Sequence, residues 1–330
     1  MCVLALVVVS FAYRVGIESR NVRDEVIMIQ LKEQAASAVA IAIARLKENT
    51  NGYDHPAEAW HTHNSLASEN WLPDWQVGGN KEEPAFITDY QVIDEESKYP
   101  LAHASSETLK KLGLSEEQIA GLLDWIDEDN SQQSEGAESS YYSDQATPYY
   151  CKNALPTRLE ELLLVRGFSK TDYLGEDANH NSKLDSNEND GSLTYPPDDA
   201  DDKLKLGYVD LLTCVTNGKI NINTAPEIVL KCLPITATAV SQIVGYRDFD
   251  ENSSGELKNH VFSCDDDIDQ LQGLTDIDCE VLKSIVTYKS SYFRIYVQSI
   301  HQTTGLRYHL QVLIHMNESK AEILQWKAGI

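Results

Sequence analysis

At 330 residues with 42% hydrophobic side chains, the chain is long enough for one large or two ordinary domains with real cores. Its net charge of -25, from 52 acidic against 27 basic residues, argues against nucleic acid and anionic lipid headgroups as partners of the soluble part. Six cysteines, Cys2, Cys151, Cys214, Cys232, Cys264 and Cys279, form no C-x-x-C pair, which removes zinc-ribbon and thioredoxin readings. Setting aside Cys2 in the apolar N-terminus, an odd number remains. One or two disulfides are open in an oxidising compartment, with no pairing readable.

Met1 to Tyr13 is apolar, and charge begins at Arg14. That run is short of the ~20 apolar residues a spanning helix needs. It also lacks the basic start and small-residue cleavage site of a secretory signal. From Ile17 to Asn51 no Gly or Pro intervenes. Val22, Val26, Ile29, Ala36, Val39, Ala40, Ile43 and Leu46 recur at helical spacing, which predicts one long rod running from the apolar start into water.

Tyr53 to Glu83 reads as a polar loop with Trp60, Trp71 and Trp75; His61 and His63 within it have no third ligand nearby and are assigned to the loop. Phe86 to Ile93 alternates as a half-buried strand. Ser105 to Ile126 then reads as helix, tight turn, helix, with Ser115 and Gln118 at capping-box spacing. The unit recurs at Thr224 to Tyr246 around Leu233-Pro234-Ile235-Thr236, and more loosely at Leu271 to Ile285 around Leu274-Thr275. These look like helix-hairpin-helix units. The hairpin lacks the Gly-x-Gly that lets backbone amides approach a phosphate, and its surroundings are acidic, so DNA binding is not expected.

The most informative stretch is Leu122-Leu123-Asp124-Trp125-Ile126-Asp127-Glu128-Asp129-Asn130, an apolar helix running into carboxylates, followed by Gly136-Ala137-Glu138 and Tyr141-Tyr142. Downstream come Tyr149, Lys152-Asn153-Ala154-Leu155-Pro156, Leu159-Glu160-Glu161-Leu162 and Gly218-Lys219-Ile220-Asn221-Ile222-Asn223-Thr224-Ala225. This ordered set resembles the K-type minor pseudopilin of the bacterial type II secretion system, the general secretion pathway protein K family. The family's Gly-Lys-Ile-Asn-Leu-Asn type segment after the first strand is replaced here by Ser97-Lys98-Tyr99-Pro100-Leu101-Ala102. The resemblance implies a single-pass transmembrane helix in the bacterial inner membrane, a soluble domain in the periplasm, and a structural role at the tip of the secretion pseudopilus. Implied partners are the I-type and J-type minor pseudopilins and the major pseudopilin.

Asp172 to Lys205 carries ten acids against three lysines. Within it, Asp177, Asn179, Asn181, Lys183 (through its carbonyl), Asp185 and Glu188 fall on positions 1, 3, 5, 7, 9 and 12 of a Ca²⁺ loop, with apolar Leu184 at position 8. Hard Ca²⁺ takes oxygen ligands, and this spacing wraps them around one point. Position 6 is Ser182 where such loops place Gly. A weaker echo at Asp199 and Asp201 lacks a closing acid.

Phe293 to Val297 and Leu306 to Ile314 alternate as strands, and Ala321 to Trp326 supplies a last one. The expected fold is α+β: a long pilin-like helix on an antiparallel sheet with a large α-helical insert. Its parts are the N-terminal helix at 1–50, a head from 51–104 and 289–330, and an insert at 105–288 containing the calcium loop. No G-x-S-x-G, H-E-x-x-H or P-loop pattern occurs, so the chain is not read as an enzyme. The alternatives are a membrane-tethered DNA receptor, which calls for a basic face, and a calcium-dependent surface adhesin, which calls for a sorting signal or repeats.

Overall fold

The computed structural model describes residues 2–61, 64–65, 79–80, 83–180, 182–247, 261–317 and 320–329. His63, Trp71, Trp75 and Asn181 lie outside the described residues. The chain divides into two compact units: residues 1–50, 57–93 and 293–330 in one, and 51–56 with 94–292 in the other. The division at 93/94 and 292/293 replaces the expected one at 104/105 and 288/289, and residues 51–56 also join the second unit.

The first unit is built on the helix Cys2–Glu48, which is long and apolar enough to cross a membrane by length and composition. Five strands form its sheet in the order Asn64–Ser65, Phe86–Asp94, Tyr292–His301, Arg307–Asn317, Lys320–Ala328. The first pair and the last pair run antiparallel. Side chains two apart along each central strand share one face: Tyr90 and Val92, then Phe293, Ile295 and Val297, then Leu310, Val312 and Ile314 are all buried in one cluster.

Against them lie Ala35, Ala38, Val39, Ile41, Ala42 and Leu46 of the helix. Three of these are alanines with no exposed surface, and so small a stripe brings the helix backbone close to the sheet. The periodic set expected from sequence straddled two faces. Val39 and Leu46 are buried, whereas Val22, Val26 and Ile29 are 59%, 49% and 58% exposed. Spacing of three and four marks an apolar face but not which one meets the sheet, and here alanine decided it.

The second unit holds three helix pairs: Ser106–Lys111 with Glu116–Ile126, Glu227–Leu230 with Ala237–Arg247, and Asp265–Asp269 with Asp276–Ile285. The Ser115–Gln118 capping box forms as expected. Two short parallel pairings, Tyr99–Pro100 with Leu212–Thr213 and Ile220–Asn221 with Val286–Thr287, tie distant segments together.

The unit boundary has a physical cause at Asp94, which is 2% exposed. Its carboxylate accepts from Glu96 N at 2.8 Å, Thr224 Oγ1 at 2.6 Å, Ser290 Oγ at 2.7 Å and Asn221 Nδ2 at 3.0 Å. Beside it, Lys98 Nζ meets Glu95 Oε1 at 2.9 Å, with both side chains buried. Burial first, and then the charge of Asp94, push Glu96 up to about 8. Buried polar groups of this kind need every partner in place, so residues 94–98 pack where those partners are.

Candidate functional site

The predicted calcium loop closes on itself. Asp177 is 1% exposed, and its Oδ2 accepts from the Ser182 amide at 2.7 Å. Ser182 has φ 58, so the position where such loops place glycine adopts the left-handed backbone that favours glycine. Glu188, also 1% exposed, folds back: its Oε1 accepts from Ala178 N at 2.9 Å and its Oε2 from Asp185 N at 3.0 Å. Asn179 Nδ2 donates to Asp185 Oδ2 at 2.7 Å. The structure therefore brings Asp177, Asn179, Asp185 and Glu188 into one hydrogen-bonded loop, with Lys183 on its exposed rim.

His180, which sequence reasoning passed over, joins the loop to the rest of the unit. Its Nδ1 lies 2.5 Å from Asp210 Oδ1. Burial, with the nearby charge of Asp210, pushes Asp177 up to about 7. Although burial opposes it, the charge of Asp210 and its hydrogen bond hold the His180 imidazole above its ordinary range. The echo segment pairs locally instead: Asp198 accepts from the amides of Asp190, Gly191 and Ala200, and Asp201 pairs with Lys203 at 3.2 Å.

A second acidic group comes from the stretch that carries the family resemblance. The helix Glu116–Ile126 ends at Asp127, and the following loop returns Glu138 to Asp124 and Asp127, with oxygens of all three within 4.8 Å of one another. Of the tyrosine pair expected to anchor this loop, Tyr142 does so, whereas Tyr141 is 38% exposed. Tyr142 is fully buried, edge-on to Trp125 at 5.2 Å and stacked on Tyr149 at 5.1 Å. Cys151 Sγ lies 3.2 Å from the Asp124 carbonyl oxygen. Cys151, Cys232, Cys264 and Cys279 are free thiols in this structure.

The Asn-x-Asn of Ile220 to Asn223 is structural. Asn221 has no exposed surface and bridges Asp94 and Ser290, while Asn223 brackets Phe262, donating to its carbonyl and accepting from its amide at 2.9 Å each. Alternation in sequence announced neither role, because the partners lie 39 to 127 residues away.

The described residues thus form a long helix on a five-stranded sheet, with a helical unit set between its strands in sequence. Residues 93–175 match the family model of the type II secretion system (T2SS), protein K. Among solved structures, the fold matches a chain of the crystal structure of the GspK-GspI-GspJ complex from the enterotoxigenic Escherichia coli type 2 secretion system, with TM-score 0.60 and 17% identity. That match covers 94% of this chain and 99% of the other. No curated protein sequence matches the chain. The family match falls on the helix, acidic loop and tyrosine pair, and the shared fold extends over nearly the whole chain. Together they support a K-type minor pseudopilin of type II secretion.

Proposed function

We propose that this protein is a structural subunit at the tip of a type II secretion pseudopilus, held in the inner membrane by its long helix with the soluble part in the periplasm. The observation that carries this reading is the fold likeness across 94% of the chain to a subunit solved in complex with I and J proteins. The exposed apolar residues Val22, Val26 and Ile29 sit on the helix outside the sheet-facing stripe. They are the surface on which I-type and J-type subunits, and the major pseudopilin, would pack. Co-expression with its own I-type and J-type partners tests this: a stable three-component complex is expected, and Val26→Glu with Ile29→Glu should abolish it without lowering the melting temperature. A chain that stays monomeric beside both partners would refute the proposal.

We further propose that Asp177, Asn179, Asn181, Asp185 and Glu188, with the Lys183 carbonyl, hold a structural Ca²⁺. The left-handed Ser182 and the Asp177 contact to its amide support this reading. Calorimetry should show uptake at up to millimolar metal, the range of extracellular modules at about 10⁻⁴–10⁻³ M. Glu188→Ala should remove that uptake, while Lys183→Ala, which keeps the carbonyl, should not weaken it. Because Asp177 is raised to about 7, it is largely protonated below neutral pH; Ca²⁺ must displace that proton, so affinity should fall as pH drops through 7. A pH-independent affinity would remove Asp177 from the ligand set.

A further inference from the structure

Three buried acids of the second unit converge on one pair of serines. The Ser290 amide donates to Asp54 Oδ2 at 2.6 Å, its hydroxyl to Asp94 Oδ2 at 2.7 Å, and the Ser291 amide to Glu96 Oε1 at 3.1 Å. Asp54, Asp94 and Glu96 are each no more than 2% exposed. Three segments remote in sequence, 51–56, 94–98 and 290–291, are thus held together through carboxylates. The chain passes between the residues of its two units at 50/51, 56/57, 93/94 and 292/293, and each of these points lies within four residues of Asp54, Asp94 or Ser290. The cluster therefore sits where every run of the second unit begins or ends.

Hydrogen-bond donors are shared unevenly among these acids. Asp94 accepts from four, which suits a charged carboxylate. Glu95 takes the Lys98 ammonium at 2.9 Å and the Thr213 hydroxyl at 2.6 Å. Glu96 Oε2, by contrast, is buried and accepts from nothing. Among the described residues neither Asp94 nor Glu96 forms an ion pair. On the serine segment, Lys289 reaches the Asn51 carbonyl at 2.6 Å; on the 51–56 segment, His55 is buried next to Asp54.

A carboxylate without water or a counter-charge is far costlier to bury than a neutral carboxyl group. On Glu96, burial and then the charge of Asp94 outweigh the hydrogen bonds from Ser291 and Asn217, and Asp54 adds to the rise. Burial raises Asp94 as well, against the pull of its donors. Glu96 moves from its ordinary 4.5 to about 8 on folding, so the folded chain holds an extra proton between those values. The stability tied to that proton is fully present below about 4.5 and is lost as pH rises to about 8.

We propose that Glu96, with Asp54, Asp94 and the Ser290–Ser291 pair, is a proton-operated lock: protonated Glu96 lets the three segments close on one another, and ionised Glu96 loosens them. The grip on 94–98 and 290–291 then follows the acidity of the surroundings.

Hydrogen exchange of the full-length chain, followed by mass spectrometry, reads this grip as protection factors with the intrinsic pH dependence divided out. Between pH 6 and 8, protection over 94–98 and 290–291 should fall by up to about tenfold per unit, then level off above about 8. Glu96→Gln keeps an acceptor for the Ser291 amide and carries no charge. It should abolish the fall and leave protection at pH 8 at or above the parent's. A glutamate needed only as a packed, charged carboxylate would instead lose protection at every pH on that change. Asp54→Asn still offers the Ser290 amide an acceptor oxygen but removes a charge that raises Glu96, so its levelling-off should move to lower pH. That variant decides the matter should Glu96→Gln fail to fold. Flat protection in the parent between pH 6 and 8, the same fall in Glu96→Gln, or an unshifted Asp54→Asn profile would overturn the inference.

Discussion

Val39→Asp should unfold the helix-on-sheet unit. Val39 is 2% exposed and sits in the apolar cluster with Tyr90, Ile295 and Val312. An unpaired carboxylate in such a place costs about 4 kcal/mol or more, in the range reserved for buried charges. Trp60 reports the event directly: it is 1% exposed in the same cluster, with its ring edge-on to Phe293 at 5.3 Å. Denaturation followed by tryptophan fluorescence should show the transition at far lower denaturant than in the parent. Val26→Asp, at a site 49% exposed on the same helix, should shift stability by no more than about 0.5 kcal/mol. Equal stability of the two variants would mean that the alanine stripe does not carry the sheet.

Gly207→Ala should be nearly as damaging, for a backbone reason. The segments 174–176 and 205–207 cross at an antiparallel bridge between Gly175 and Leu206, reinforced by Glu176 N to Lys205 O at 2.9 Å. A Cβ on Gly207 would lie 2.2 Å from the Leu174 carbonyl carbon and 2.5 Å from Gly175 N. Both neighbours are main chain, so no side-chain rotation relieves the clash. On the other strand Gly175 has φ 66, and a Cβ there would fall 2.1 Å from Gly207 N, so the crossing needs glycine on both sides. Separating the strands costs about 3 kcal/mol or more. For a unit of this size that is roughly 6–12 °C in melting temperature. Since the crossing closes the base of the 176–205 loop, the Ca²⁺ uptake proposed for that loop should fall in parallel. A variant that melts and binds like the parent would show that the crossing can open without consequence.

Local information was enough for several elements. The unbroken run from Ile17, the Ser115–Gln118 box and the alternating strands near the C-terminus each depend on residues within a turn or two of one another. Each was found as read, with the strands extending to Tyr292–His301, Arg307–Asn317 and Lys320–Ala328. The ordered series from Leu122 to Ala225 pointed to the K type, and residues 93–175 and the overall fold support it.

Other features depend on partners far away in the chain. Asp278 illustrates the difference. Its place in a capping box with Thr275 is local, but the same carboxylate also accepts from Thr236 N at 2.8 Å, 42 residues away, and so caps a second helix. Burial opposes ionisation there, yet the Thr236 and Thr275 hydrogen bonds hold it at about 2. Likewise Asp94 follows the alternating run Phe86 to Ile93 in sequence, and in the structure it ends that strand and is the polar anchor of the second unit. Asp124, Asp127 and Glu138 are visible in sequence as three acids among 52; that they meet with Glu138 unpartnered is not. Period and spacing thus determined which segments are helix and strand, because those depend on neighbouring backbone. Which helix face is buried, where the units divide and which carboxylates converge were decided only by tertiary structure, because burial and charge act through space between residues remote in sequence.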